Sequence, residues 1–168
     1  MEEPKKKRNR RTRAELEAGV FDAVRQLASE KGLAQITFTD IMQRAGIQMS
    51  VLLKNYKSID RVLDKYAYFS DYWLHDLFDE EHPTDKAGED ILKRNLKSLA
   101  VYLYDNIDMQ HLLVWELEAD NPTTRRIARS REKHYRTAID ELKHLFEGTG
   151  IPADIIAGLL TAGTYYLI

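Results

Sequence analysis

Gln48, Met49 and Ser50 open a short stretch whose residue types could read the edges of DNA bases. A glutamine amide can pair bidentately with adenine, a serine hydroxyl donates or accepts, and a methionine can touch a thymine methyl. Lys54, Asn55, Tyr56 and Lys57 follow, and Thr37 and Thr39 precede. These suit phosphate oxygens, which position a protein on a duplex without carrying sequence information. Metal chemistry has less to work with. His75, Asp79 and His82 recur at i, i+4 and i+7 and could share a helix face as ligands, but the stretch runs straight into Pro83. Of His111, Glu116 and Glu118, two point to different faces of one helix. No Ser-His-Asp arrangement or paired-carboxylate motif stands out, so the expectation is a protein that is not an enzyme and uses neither metal nor cofactor.

The elements that must hold Gln48 to Lys57 in place are legible in TFTDIMQRAGIQMSVLLKNYK, residues 37–57. Thr37 caps a first short helix, with Asp40 three residues later completing a capping-box-like pair. Phe38, Ile41, Met42 and Ala45 fall on one apolar stripe. Gly46 suits a left-handed exit, and Ile47 plugs the corner. Val51, Leu52 and Tyr56 form the inward stripe of a second helix, whose other face carries Gln48, Met49, Ser50, Lys54 and Asn55. That is the layout of a helix-turn-helix, whose second helix lies in the major groove. Upstream, Leu16, Val20, Ala23, Val24, Leu27 and Ala28 share one face of a helix running from Arg13 to Lys31 and closed by Gly32. It is the brace over the two short helices.

The chain has 168 residues and a formal net charge of −2 that hides an asymmetry. Lys5, Lys6, Lys7, Arg8, Arg10, Arg11 and Arg13 stand against only Glu2 and Glu3, so the remainder is acidic. Residues 1–12 are too charged to bury anything and read as a disordered basic arm able to neutralise phosphates, while the acidic body repels non-specific polyanion binding. There is no cysteine, hence no disulfide, thiol nucleophile or cysteine zinc site. No apolar run is long enough to span a bilayer, and a cytoplasmic protein without a membrane partner is the expectation.

Beyond Lys57 the pattern stays helical. Ser58 caps a long helix expected to reach about residue 81, with His82 to Asp85 as stop and restart. Helices follow over 91–106 and 107–119. Another runs from Asn121-Pro122 to about 147, burying Ile127 and exposing Arg125, Arg126, Arg129, Arg131 and Lys133. The last, Ile155 to Ile168, carries hardly a charge, and its Ala157, Gly158, Ala162 and Gly163 permit close approach of another helix, within the chain or across a subunit boundary.

Residues from Leu16 to about Asp64 resemble the DNA-binding head of the TetR family of bacterial transcriptional regulators. LASEKGLAQIT followed by FTDIMQRAGIQMSVLLKNYKSIDRVL is similar to the family's helix end, "AGVS.G.LY.HF" and "SKE.L" pattern, with Ile41, Ala45, Gly46, Ile47, Leu52, Tyr56, Ser58 and Leu63 in register. The resemblance implies a homodimer joined through the last two helices and a cavity in the C-terminal body for a small-molecule effector. Three positions depart from it: Gln48 replaces Ser or Thr, Leu53 replaces Tyr and Ile59 replaces Lys. The Tyr and Lys of the family bind phosphates, a role that Lys54, Lys57 and the arm could take over.

The reading is therefore an all-α chain. Residues 1–12 form the arm, 13–57 a three-helix DNA-binding head, and 58–168 a helical regulatory and dimerisation body. Tyr66, Phe69, Trp73, Tyr102, Trp115 and Glu116 are the candidates to line an effector pocket. The expected function is a ligand-responsive dimeric repressor on a pseudo-palindromic operator, its two heads about 34–36 Å apart. The competing reading is a degenerate helix-turn-helix that serves as a dimeric interaction or ligand-binding module without specific DNA binding.

Overall fold

The computed structural model describes residues 11–70, 88–150 and 152–167, and every regular element among them is helical. In chain order these are α1 (Arg13–Lys31), α2 (Phe38–Ala45), α3 (Met49–Tyr56), α4 (Ile59–Ser70), α5 (Gly88–Asp105), α6 (Ile107–Glu118), α7 (Pro122–Leu142) and α8 (Ala153–Tyr166). Short 3-10 turns cover Leu33–Gln35 and Lys143–Phe146.

The first three helices are set by local chemistry that the sequence spells out. Thr12 caps α1: its hydroxyl accepts from the Glu15 N–H, and its own N–H donates to the Glu15 carboxylate at 2.7 Å. Thr37 and Asp40 repeat the device on α2, satisfying donors that the first turn otherwise leaves orphaned. Gly46 leaves α2 in the left-handed region at φ 61°, which a Cβ would oppose. The turn brings Ile47 back inside, its N–H donating to the Met42 carbonyl. Val20, Val24, Ile41 and Leu52 are then fully buried against one another's helices, and Tyr56 closes the end of the cluster. Each such aliphatic side chain contributes about 1.5–3 kcal/mol by leaving water. Ion pairs on the rim, Arg44 to Glu30 at 2.6 Å and Lys65 to Glu17 at 2.9 Å, add orientation more than stability.

The body is built on the same stop and start signals. The Ser58 hydroxyl accepts from the Arg61 N–H at the start of α4, whose Val62, Leu63, Tyr66 and Ala67 are buried. The second half of the long helix expected there, with Trp73, His75, Asp79 and His82, lies outside the described residues. α5 starts three residues ahead of the expected Ile91 and stops at Asp105, because Asn106 is taken as the cap of α6, where its side chain accepts from the Met109 N–H. Asn121 caps α7 through the N–H groups of Thr123 and Thr124, with Pro122 in the first position. The last turn expected of α7 tightens into the 3-10 turn.

In the body one apolar side chain is left open to solvent and one charged residue reverses its expected exposure. Leu117 is 88% exposed, because it lies about 200° round α6 from the buried Trp115. Arg131, expected on the surface, is only 3% exposed. It falls four residues after the buried Ile127 and so on the inward stripe of α7.

Asp40 sets the acid sensitivity of the head. The Lys31 ammonium at 2.6 Å and the Thr37 hydroxyl and N–H hold its carboxyl down to about 2, from an ordinary 3.8. A carboxyl lowered on folding stabilises the fold above its unfolded value and loses that contribution as pH falls from about 3.8 through about 2. Asp40→Asn should therefore melt earlier than the wild type at neutral pH, with the gap closing by pH 2. Thr37→Ala should lose about 1 kcal/mol at neutral pH. Thermal melts at stepped pH read both.

Candidate nucleic-acid interface

The face of α3 opposite Leu52 and Tyr56 is open to solvent. Gln48, Ser50, Lys54, Asn55 and Lys57 are exposed and Met49 is half-buried, so the structure brings these six sequence-nominated side chains onto one surface. Gln48 sits at the cap position of α3 without using its side chain for the cap, which leaves the amide directed outward. The Asn55 amide donates instead to the Val51 carbonyl at 2.7 Å. Thr39 is exposed beside this surface, whereas the Thr37 hydroxyl is engaged by Asp40. Tyr56 is corrected: it is 4% exposed and serves the core, not the surface. Burial pushes its phenol up to about 12, and the Lys65 ammonium lies 5.4 Å from the ring centroid. An aromatic ring at an inward position of a short helix is worth more buried than hydrated.

Two positions on this surface differ from the resemblance in instructive ways. Leu53 stands 46% exposed where the pattern has Tyr, an apolar side chain on an otherwise polar face. Ile59 is half-buried against the core. Lys57 ends α3 with φ 65°, the one positive φ outside glycine among the described residues. This backbone strain holds a lysine at the edge of the reading face, and strained positions of this kind cluster at functional sites. Of the basic arm, Arg11 and Arg13 are described; the Arg11 guanidinium donates to the Ala45 carbonyl at 3.3 Å, at the C-terminal end of α2. Lys5, Lys6, Lys7, Arg8 and Arg10 lie outside the described residues.

One carboxylate links α1, α4 and α6. Asp108, in the first turn of α6, accepts from Arg25 of α1 at 2.7 and 2.6 Å and from the Tyr66 hydroxyl of α4 at 2.7 Å. Burial alone would raise this carboxyl, but the Arg25 and Tyr66 bonds outweigh it and hold it below the usual carboxylate range. The Asp108 hydrogen bond raises the Arg25 guanidinium, while the Tyr66 phenol is raised by burial first and by the Asp108 bond second. One turn on, His111 reaches Ser29 of α1 at 3.3 Å, and desolvation lowers its imidazole. Neither Asp108 nor Arg25 was singled out in the sequence. The available signal was an acidic residue in the first turn after the capping Asn106.

The residues nominated for an effector pocket divide between two places. Tyr66, Phe69 and Tyr102 line a cavity of about 520 Å³ at the seam of head and body, beside Phe21, Arg25 and Asp108. Glu116 instead lines a cleft of about 860 Å³ between α7 and α8, together with Arg131. Trp115 is buried in the hydrophobic core, and Trp73 lies outside the described residues. Among the described residues no group of three His, Asp or Glu side chains could hold a metal ion. His111 and Glu116 are directed to Ser29 and Arg131 respectively.

A long helix and two short ones, the last with a polar outer face, followed by a helical body packed on them, make up a fold that is also seen in solved TetR-family transcriptional regulators. No family model matches the chain, and no curated protein matches it in sequence. Solved structures do match. A Clostridium perfringens protein named for the regulation of fatty acid metabolism is similar at TM-score 0.70 and 18% identity, over 89% of this chain and 83% of that one. A TetR-family transcriptional regulator of Haemophilus influenzae is similar at 0.62 and 17%, over 91% and 84%. A TetR-family protein of Vibrio parahaemolyticus is similar at 0.61 and 13%, over 89% and 82%.

Lys57→Gly separates strain from contact. Removing the Cβ relieves the left-handed backbone, so the melting temperature should hold or rise. On the expectation that Lys57 contacts a phosphate, affinity for DNA should nonetheless fall. Melting and a DNA titration on the same preparation check the two effects.

Proposed function

We propose that this chain is a DNA-binding transcriptional regulator that acts as a homodimer, reads a pseudo-palindromic operator through α3, and releases it when a small molecule occupies the body. The observation that carries the reading is the sidedness of α3. Leu52 and Tyr56 lock one face into the core, and Gln48, Ser50, Lys54 and Lys57 project from the other. Gln48 and Ser50 serve base edges, with Met49 beside them; Lys54, Lys57 and Thr39 serve phosphates, and the basic arm adds charge along the backbone. Repression follows as the simpler outcome, because occupying a promoter suffices to block it.

The dimer reading rests on α8. Ile155, Leu159, Leu160, Tyr166 and Leu167 leave large apolar surface exposed on a helix whose Gly158, Ala162 and Gly163 admit a neighbouring helix closely. Burying the same patch on two copies is what a two-fold interface requires. The coupling reading rests on α6, which holds Asp108 at the head seam and Glu116 at the cleft. An effector that prefers one position of α6 shifts the head through the Arg25 and Tyr66 bonds.

Selection of fragmented genomic DNA on the purified protein tests the reading. A two-fold-related site should be enriched, and Gln48→Ala with Lys54→Ala should lose it. Binding should weaken by about 10³–10⁵ between 50 and 200 mM salt if six to ten phosphates are contacted. Enrichment of nothing by folded protein at low salt overturns the proposal. Asp108→Asn should retain the same site preference, because no base-reading residue is touched, while shifting the affinity for it. An unchanged affinity would remove Asp108 from the coupling.

A further inference from the structure

Between Arg13 and Lys57, all of them described residues, every large apolar side chain is buried or half-buried except Leu53, which stands 46% exposed. Met49 is half-buried one turn earlier on the same side of α3, at the i, i+4 spacing that stacks two side chains. Neither belongs to the apolar core or to the side chains packed on it, whereas Val51 and Ile59 do pack there. The two therefore form an apolar ridge along the open face of α3. The polar groups around it are few. Gln48 and Ser50 stand at the start of the helix, and the Asn55 amide is spent on the Val51 carbonyl at 2.7 Å. Lys54 follows directly, and the Lys57 N–H donates to the Leu53 carbonyl at 3.0 Å, which holds the strained lysine one turn beyond the ridge.

We propose that Leu53, with Met49, reads thymine: the ridge seats on C5-methyl groups in the major groove of the operator and sets the base preference of the second turn of α3. The inference rests on the regulator reading and deepens it by naming what a residue outside the polar set recognises. A single exposed leucine is ordinary on a protein surface. This one lies on the face that carries the exposed cations Lys54 and Lys57, which favours a polyanion over an apolar partner. A protein partner or a second copy would need a larger apolar patch than two side chains. In the major groove the ring nitrogens, carbonyl oxygens and amino groups are all polar, and only the thymine methyl is apolar. Leu53 against a cytosine would bury the amino group without a partner, so the same contact rejects that base. Cβ atoms at i and i+4 lie about 5–6 Å apart and base pairs rise about 3.4 Å, so the ridge spans about two base steps at most. One half-site therefore carries thymines at adjacent or alternate positions, one beneath each side chain.

The test uses the full chain and the duplex that selection from random DNA recovers, remade with deoxyuridine in place of one thymine at a time. Uracil differs from thymine only by the methyl, so every hydrogen bond is retained. At one or two thymines per half-site the replacement should weaken wild-type binding about fourfold, the worth of one methyl leaving water. Leu53→Ala should bind the unsubstituted duplex more weakly and be indifferent to uracil at one of those positions. Leu53→Met, which keeps an apolar tip, should remain sensitive there. The melting temperature should hold in both variants, because Leu53 is not packed on the core. Recovery of no duplex overturns the regulator reading and this inference together. A recovered site at which uracil costs nothing, or costs wild type and Leu53→Ala equally at every position, overturns this inference alone. So does a change of oligomeric state in Leu53→Ala, which would assign the ridge to a second copy.

Discussion

Asp108 carries one negative charge that three helices share. Arg25 approaches it from α1 with two parallel hydrogen bonds, Tyr66 from α4 with a third, and the carboxylate itself stands in the first turn of α6, where the helix dipole favours it. Its side chain is only 15% exposed, so these bonds are made with little competition from water. The charge sits at the edge of one continuous apolar core that runs from Val20, Ile41 and Leu52 through Met109 and Leu112 to Ile127. Within the body, Asp64 of α4 accepts from Thr123 at 3.2 Å and Arg126 at 2.7 Å at the start of α7.

The contrast with the head interior is instructive. There the packing is aliphatic and the turns are pinned by Gly46 and by the Thr37–Asp40 box. Such a unit has one packed state and moves as a rigid body. The body instead keeps a buried guanidinium, open clefts on both sides of Glu116, and an α8 wall of small residues. Under the proposed function, a rigid base-reading unit and an open body is the division that a switch requires, since a ligand has to favour one arrangement over another.

Most of the head was legible in sequence because its decisive interactions are short-range. Thr37 with Asp40 and the left-handed Gly46 act within four residues of chain, as Asn121 with Pro122 does in the body; the Thr12–Glu15 box is equally local but was not read from the sequence. Helical periodicity then assigned Val20, Val24, Ile41 and Leu52 to the inside. The same periodicity nominated the outward row of α3, because whatever is not inward on a short helix must face solvent. It misplaced Tyr56 in function by giving one residue both an inward position and a phosphate. It misjudged Arg131 because charge was allowed to override a stripe that ran through Ile127.

What the sequence by itself determined is the set of helices, their caps and corner, and the polar face that α3 presents, all consequences of local hydrogen bonding and a 3.6-residue period. Only the tertiary structure decided which distant groups meet. Arg25 and Asp108 are 83 residues apart and Tyr66 and Asp108 are 42 apart. No local rule brings them together, since their encounter depends on how α1, α4 and α6 pack. The same holds for Arg131 and Glu116, each an ordinary surface type until α6 and α7 close over them. The nominated aromatics were likewise sorted by packing, with Tyr66, Phe69 and Tyr102 at the seam and Trp115 in the core. Ring type specifies that such side chains avoid water, while the arrangement of neighbouring helices specifies what they meet instead.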